Sequence, residues 1–447
     1  MLSRLSARLA QLAQQVVPDP FVIALALTLL ATLLGLALMP NPDLMALASG
    51  WMARVLHPGT LAFTTQMALV LVAGATLARA PLVAALLGRL AAWPRGSASA
   101  AALTAAAAMS AAWLNWGFGL VVGAVLAREI GERARAAGRP LDYPLVGAAG
   151  YTGLLIWHGG LSGSAPLKVS EVGPAGGAPI PLGDTIFSSL NLVLTAAMLL
   201  VVPLLLARMA RRGREWAPER LPAPRVPPQT DGDAERRPLL GAALTLAVVA
   251  LGVMALIARA GTGASLLDLN TVILLLLLLG LLLFGTPQRY GRVFCASAGE
   301  AGGILLQFPF YFGILGLLEA SGMVELLASR SADLARGLAA WGPSLQWSFD
   351  MVTFASAGLV NLFVPSGGGQ WAVQGAIVAR ACEELALPLP RAVMALSFGD
   401  EWTNMLQPFW ALALLGITGL KARDILGDTL IVMLAAGGVF ALVFALA

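Results

Sequence analysis

Two stretches of polar and conformationally free residues interrupt an otherwise apolar chain, and their residue types suit the binding of a small anion. One runs from Asn361 through Pro365, Ser366, Gly367, Gly368 and Gly369 to Gln370; the other from Asn115 through Gly117 to Gly119. Proline and consecutive glycines break a helix. The first N–H groups of the helix that resumes are then unpaired, and its dipole favours negative charge there. Glycine lets a ligand approach the backbone closely. Asn115, Asn361, Ser366 and Gln370 add side-chain donors. The plainer alternative is that the asparagines and the serine only cap their own broken helices.

A second pair of interruptions follows each of these. Trp157-His158-Gly159-Gly160-Leu161-Ser162-Gly163-Ser164 lies after the first, and Gly399 to Pro408 after the second. Ser162, Gly163, Ser164, Asn404 and Gln407 are expected to flank the first pair and complete one pocket, reaching an anion or a coupling ion. Asp400, Glu401 and His158 are the candidates for ion coupling. A carboxylate inside a membrane costs about 2.5–3.5 kcal/mol even on lenient scales, so it usually faces a cavity. The opposing reading puts Asp400 and Glu401 at an aqueous helix end, paired with Arg391 or solvent. Unwound carbonyls with Asn and Ser oxygens suit Na⁺ as well as these acids suit H⁺.

Other chemistry fits less well. His158 precedes Ser162 by one helical turn, the spacing of a base and a nucleophile. Yet the Gly160-to-Ser164 run is not G-x-S-x-G and no third orienting group is apparent, so an intramembrane Ser/His hydrolase is the weaker alternative. No phosphate-binding G-x-x-x-x-G-K-[ST] occurs, and Gly117 to Gly123 departs from the dinucleotide fingerprint. An anion channel is the stronger competitor, because hairpins meeting at mid-membrane also build filters. No cofactor and no metal ligand set is implied beyond a coupling H⁺ or Na⁺.

The elements that must position these residues are membrane helices. The chain has 447 residues, 58% hydrophobic and 12% charged, with a mean hydropathy of +0.81; soluble domains carry about 25% charged residues. The composition describes an all-α polytopic membrane protein. Cys295 and Cys382 are too few for a disulfide framework. A formal net charge of +4, with arginines between apolar runs, reads as topology signals and not as nucleic-acid contacts. Residues 1–15 are amphipathic with Arg4 and Arg8, and no cleaved leader is expected because the apolar run begins only at Phe21.

Spanning candidates are Phe21 to Met39, Leu61 to Leu77, Thr185 to Leu206, Leu239 to Ile257, Leu269 to Phe284, Gly303 to Leu318 and Ile425 to Leu446. Ala98 to Leu114 and Leu120 to Ala127 are each short of the roughly 20 residues of a crossing, and arginines flank both. They are expected to form a re-entrant hairpin, and the broken element around Asn361 to Gly375 a second. About nine spanning helices plus two hairpins and discontinuous helices result. Between Arg208 and Arg237, eight arginines against five acids leave +3; this proline-rich linker is expected in the cytoplasm. The chain divides into a first membrane repeat (1–207), the linker (208–238), a connecting helix (239–258) and a second repeat (259–447).

The halves echo one another at an offset of about 240–250 residues. Leu182-Gly-Asp-Thr185 recurs as Leu426-Gly-Asp-Thr429, and Gly123-Ala-Val-Leu-Ala-Arg128 as Gly375-Ala-Ile-Val-Ala-Arg380. Asn115 and Asn361 open the broken stretches, and Trp157 and Trp402 head the second interruptions. The extra helix 239–258 reverses the direction in which the second repeat enters the membrane. Inverted repeats with broken helices at mid-membrane are the architecture of many secondary transporters.

Asn115-Trp-Gly-Phe-Gly-Leu-Val-Val-Gly123, Gly160-Leu-Ser-Gly-Ser164, Gln307-Phe-Pro-Phe-Tyr311, Val364-Pro-Ser-Gly-Gly-Gly369 and Asn404-Met-Leu-Gln-Pro-Phe-Trp410 occur in the order of the short-chain fatty acid transporter family. The chain resembles that family, of the bacterial acetoacetate/butyrate permease type, over nearly its whole length. The resemblance implies a multi-pass carrier of the cytoplasmic membrane that takes up small monocarboxylates by ion symport. Its partners would be the carboxylate, the bilayer and, by likeness to the wider class, a second copy in a homodimer.

Overall fold

The computed structural model describes residues 20–39, 41–171, 173, 178–210, 214–223, 238–262, 269–362 and 367–446. The amphipathic N-terminus, most of the linker and Ser366 lie outside the described residues. Nearly everything described is helical; β-structure among the described residues is one isolated bridge, Leu141 to Trp216.

The helices fall into two runs with the same order. The first comprises α1 (Pro20–Leu38), α2 (Leu44–Val55), α3 (Pro58–Ala78), α4 (Pro81–Leu90), α5 (Ser97–Leu114), α6 (Trp116–Ala136), α7 (Tyr143–Tyr151), α8 (Ser164–Glu171) and α9 (Ser189–Met209). After α10 (Pro238–Gly261) come α11 (Leu269–Phe284), α12 (Pro287–Ser297), α13 (Gly302–Ala320), α14 (Met323–Ala339) and α15 (Leu345–Asn361). The second run closes with α16 (Gly367–Leu385), α17 (Leu389–Thr403), α18 (Pro408–Thr418) and α19 (Ala422–Leu446). In both runs a closely spaced helix pair, α5–α6 or α15–α16, is followed by an interrupted helix, α7–α8 or α17–α18, and then by one long helix.

Six helices among the described residues are long and apolar enough to cross a membrane: α3, α5, α9, α10, α13 and α19. α10 presents Leu239, Leu246, Leu251 and Ile257 outward, as a lipid-facing helix does. Helices α2, α12 and α14 were not expected from the sequence. α2, at 12 residues, is too short to mark a span; α12 and α14 mix apolar residues with Arg289, Arg292, Arg330, Asp333 and Arg336, so they lack the uninterrupted apolar run that marks one. α2 packs across α13 so closely that a Cβ on Gly316 would overlap the Gly50 carbonyl, and Arg54 binds Glu319 bidentately at 2.7 and 2.6 Å.

α19, 25 residues or about 37 Å long, serves as a ruler. Near its start Asp428 receives Arg214 at 2.8 and 2.6 Å. Arg214 also stands 3.5 Å from Asp142, which precedes α7. Near its end the Phe444 carbonyl accepts from Arg391 at 2.7 Å and the Ala441 carbonyl from Trp347 at 3.2 Å. Arg391 in turn binds Asp350 of α15 at 2.7 Å. The base of the α5–α6 pair therefore lies at one end of α19 and the base of the α15–α16 pair at the other.

Candidate functional site

At the first tip the break is narrower than the sequence suggested. Only Asn115 is extended, with φ −158° and ψ 127°; α6 resumes at Trp116, and Gly117 and Gly119 are helical. Asn115 Oδ1 accepts the Phe118 N–H at 2.9 Å and its carbonyl accepts the Gly119 N–H at 2.9 Å. Ser162 Oγ accepts the Trp116 N–H at 3.0 Å. These N–H groups, expected to face a ligand, are thus capped, and Gly117 and Gly119 serve close packing. A Cβ on Gly119 would overlap Ala112, and one on Gly117 would stand 3.1 Å from the Val70 carbonyl. Leu161 N–H donates to the Trp113 carbonyl at 2.8 Å, which lays the interruption after α7 directly across this tip.

That interruption passes from a 3₁₀ turn, Thr152–Leu155, through turns to Ser164, the first residue of α8. It is tight enough that a Cβ on Gly163 would overlap the His158 carbonyl. His158 is fully buried. Its Nε2 accepts the Ala165 N–H at 3.0 Å, its Nδ1 lies 2.9 Å from Asp400 Oδ2, and its own N–H donates to Glu401 Oε2 at 2.8 Å.

At the second tip Asn361 ends α15. Its Nδ2 lies 2.7 Å from the Asp400 carbonyl, 3.0 Å from Thr403 Oγ1 and 2.9 Å from Asn404 Oδ1. Its own carbonyl accepts from Gln407 Nε2. Gln370, in the first turn of α16, donates to the Ala357 carbonyl at 2.8 Å and to Gln374 at 2.7 Å. Helix α17 persists through Thr403, with a 3₁₀ turn from Asn404 to Leu406 and extended backbone at Gln407. The expected break from Gly399 is therefore shorter, and Asp400 and Glu401 sit in the last turn of α17, 1% and 0% exposed. They pair with neither Arg391 nor solvent: Arg391 belongs to Asp350, and both carboxylates gather on His158.

The two tips and the two interruptions converge. A small cavity of about 10 Å³ is lined by Met67, Trp116, Trp157, Ser164, Gly367 and Asn404, with Leu154, Phe308 and Trp410 completing its wall. It holds about one water. Trp116 and Trp410 meet edge-to-face at 5.0 Å, and Trp157 stacks on His158 at 4.5 Å. Beside it opens a vestibule of about 650 Å³ whose wall includes Phe63, Ser162, Ser164, Gly368 and Trp371, with Arg54, His57 and Lys168 also along it. Ser164 borders both spaces. Among the residues singled out from sequence, Ser164, Gly367 and Asn404 line the cavity, and Ser162, Ser164 and Gly368 line the vestibule. Asn115, Asn361, Gln370 and Gln407 brace the tips from behind. Gly369 lies in the first turn of α16.

Several supporting residues escaped the sequence reading. Tyr151 donates to the Asn404 and Gln407 carbonyls at 2.9 and 2.8 Å, bridging α7 to the break after α17. Asn191 of α9 donates to the Gly159 carbonyl at 2.7 Å. Both sit in apolar runs as single polar atoms, and a buried polar group in a membrane helix needs a partner; that was the available signal.

A nearly all-helical chain with two paired tips and two broken helices around a small cavity has the architecture of a membrane transporter. The chain belongs to the short chain fatty acid transporter family, whose model matches residues 1–447. Two bacterial relatives, provisionally named short-chain fatty acid transporters, match over 98% of both chains. One, from Escherichia coli, is 36% identical over 456 residues, and one, from Haemophilus influenzae, 32% over 458. The fold is similar to that of the YdaH transporter of Alcanivorax borkumensis, with a TM-score of 0.53, 16% identity and coverage of 96% of this chain and 97% of that one. It is similar too to MtrF of Neisseria gonorrhoeae, described as illuminating a class of antimetabolite efflux pumps, with a TM-score of 0.54, 14% identity and coverage of 98% and 96%. The chain is therefore a transporter and not an enzyme, a multi-pass protein of the cytoplasmic membrane.

Proposed function

We propose that the chain is a secondary active transporter that takes up short-chain fatty acids and related small monocarboxylates, coupled to an ion, by alternating access. The observation that carries this reading is the small, tryptophan-walled cavity between the two tips, with a wide vestibule on one side of it. Met67, Leu154, Phe308 and the tryptophans give it an apolar wall, the character that a short acyl tail requires. For the carboxylate head, Trp157 Nε1, on the cavity wall, is a buried donor with no partner among the described residues, and a buried bare donor is satisfied by an acceptor.

The repeats are read as inverted: their hairpin bases lie at opposite ends of α19. The described part of the arginine-rich linker meets the α5–α6 base through Arg214 and Glu215, and the positive-inside tendency puts that side in the cytoplasm. The vestibule is walled by α8 and α16, which lead toward the other end, so this conformation is read as facing outward. Lys168 along the vestibule adds positive charge, which favours the approach of an anion. A channel needs a continuous wide path; a constriction with room for about one water, where Trp116 and Trp410 meet, favours a carrier.

The test is counterflow. Full-length protein in liposomes preloaded with unlabelled butyrate should take up external labelled butyrate in a transient overshoot above protein-free vesicles. Protein-dependent flux that never saturates and shows no overshoot would move the reading to a channel. No protein-dependent flux, from protein shown to be folded, would remove the monocarboxylate.

A further inference from the structure

We propose that Asp400 and Glu401 form one shared protonation site, oriented by His158, and that this site carries the proton coupled to carboxylate entry. The proposal rests on the transport reading above and assigns its coupling ion.

The hydrogen bonds fix the state of the histidine. Nε2 of His158 accepts the Ala165 N–H at 3.0 Å, so in the neutral ring the proton is on Nδ1 and is donated to Asp400 Oδ2 at 2.9 Å. The His158 N–H satisfies Glu401 Oε2 at 2.8 Å. Each carboxylate thus has one satisfied oxygen. The other two, Asp400 Oδ1 and Glu401 Oε1, are buried with no partner among the described residues. With a neutral histidine, two ionised carboxylates leave two negative charges in an apolar interior, which is costly unless a proton is taken up or the site opens to water. A proton on either carboxyl removes one charge and turns a bare acceptor into a donor.

A metal ion fits the same oxygens poorly. Both ring nitrogens of His158 are engaged, and hard cations take about six oxygens where this cluster leaves two. Among the described residues no other charge substitutes for the proton. α15 brings Asp350, bound to Arg391; α19 brings Arg423, Asp424 and Asp428, the last bound to Arg214. α16 carries Arg380, Glu383 and Glu384, α8 carries Lys168, and Tyr151 of α7 is committed to two carbonyls. The groups that act on the two carboxyls are the His158 ring on Asp400, and the His158 and Gly159 N–H groups together with Asp400 on Glu401.

The cluster is placed to couple. Gly367, at the start of α16, lies against the imidazole: a Cβ there would be 2.6 Å from His158 Cε1. Gly367 and Trp157 also line the small cavity, so movement of that tip reaches the imidazole and the cavity together. On the outward side –COO⁻ takes H⁺ to give –COOH while the substrate enters as its anion. The electroneutral pair crosses, and –COOH returns H⁺ to the cytoplasm; no covalent bond to substrate forms.

The experiment uses full-length protein in liposomes with the membrane potential clamped and acetoacetate as probe, a short carboxylate almost wholly anionic at neutral pH. An inward pH gradient should accumulate it above equilibrium and an inward Na⁺ gradient should not; Glu401→Gln should only equilibrate it. Accumulation driven by Na⁺, or pH-driven accumulation retained in Glu401→Gln, overturns the proposal. Infrared spectra of the purified substrate-free protein supply a second readout. A protonated-carboxyl band at neutral pH should vanish in Glu401→Gln or Asp400→Asn and survive in Asp350→Asn. Its absence from the wild type overturns the proposal even if a variant fails to fold. Wild-type protein that exchanges carboxylate but ignores the pH gradient sinks the proton site alone; protein that exchanges none sinks the transport reading.

Discussion

The two tips share a helix break and an asparagine, but they leave opposite chemistry unspent. Around the first, the buried side-chain atoms without a partner among the described residues are donors: Trp113 Nε1, Asn115 Nδ2 and Trp157 Nε1. Around the second they are acceptors: Asn361 Oδ1, Gln370 Oε1, Asp400 Oδ1 and Glu401 Oε1. Asn191 Oδ1, behind Gly159, is an exception on the first side. Bare donors suit an anion and bare acceptors a proton or cation. The two tips thus differ in which end of each amide the backbone consumes. Asn115 spends its oxygen on capping α6, whereas Asn361 spends its nitrogen on the break after α17.

The tips also differ in what they touch, and this sets the largest expected effect. On the first side, glycines meet backbone: a Cβ on Gly123 would overlap the Gly150 carbonyl, and one on Gly160 the Trp113 carbonyl. On the second side Gly399 also meets backbone, the Phe354 carbonyl, but Gly368, at the tip itself, would meet the ring of Phe63, a side chain on the vestibule wall. Gly123→Ala and Gly160→Ala should each destabilise the protein by roughly 3 kcal/mol, the upper end for overpacking, against about 1 kcal/mol for Gly368→Ala. Thermal unfolding of the purified protein measures this. Equal losses would mean that both tips are equally rigid and would remove the case for movement at the second.

A smaller contrast tests the asparagines. Asn361→Ala withdraws a buried amide from the Asp400 carbonyl, Thr403 and Asn404, and should cost roughly 2–3 kcal/mol because the partners stay buried. Asn115→Ala removes a helix cap, worth about 1 kcal/mol. Unfolding in detergent should rank them in that order; the reverse ranking would make Asn115 more than a cap.

What the sequence made legible follows from the same physics. The breaks stood out because proline, glycine runs and asparagine are conspicuous in apolar helices, and the long spans because lipid demands them. The extent of each break was not legible. Gly117 and Gly119 stay helical because Asn115 and Ser162 together cap α6, and Ser162 lies 46 residues from the N–H it accepts. Likewise the partner of Asp400 is His158, 242 residues away, while the arginine nearer in sequence, Arg391, is claimed by Asp350. Helix α2 was lost because its 12 residues are too few to mark a span, and α12 and α14 because charged residues interrupt their apolar faces.

The smallest effect concerns the hairpin bases, where an arginine joins each to α19. At the second base one carboxylate, Asp350, faces one guanidinium at 2.7 Å, with Gln346 adding a donor at 2.9 Å. At the first base two carboxylates share Arg214, and Asp428 takes both short bonds, leaving Asp142 at 3.5 Å. Burial therefore raises the Asp142 carboxyl from 3.8 to about 6; Arg214 opposes the rise, while Asp428 adds to it. A carboxyl raised in the folded state binds more protons folded than unfolded between about pH 4 and about pH 6, so its contribution to stability falls as pH rises through that window. Relative to Asp142→Asn, the wild type should gain melting temperature as pH drops from about 7 to about 5. The asparagine variant should be the more stable near neutrality, because it keeps an oxygen for the Leu145 N–H, at 3.4 Å in the wild type, without the unshared charge. A difference that stays constant with pH would mean that Arg214 neutralises both carboxylates and that the two bases are electrostatically alike.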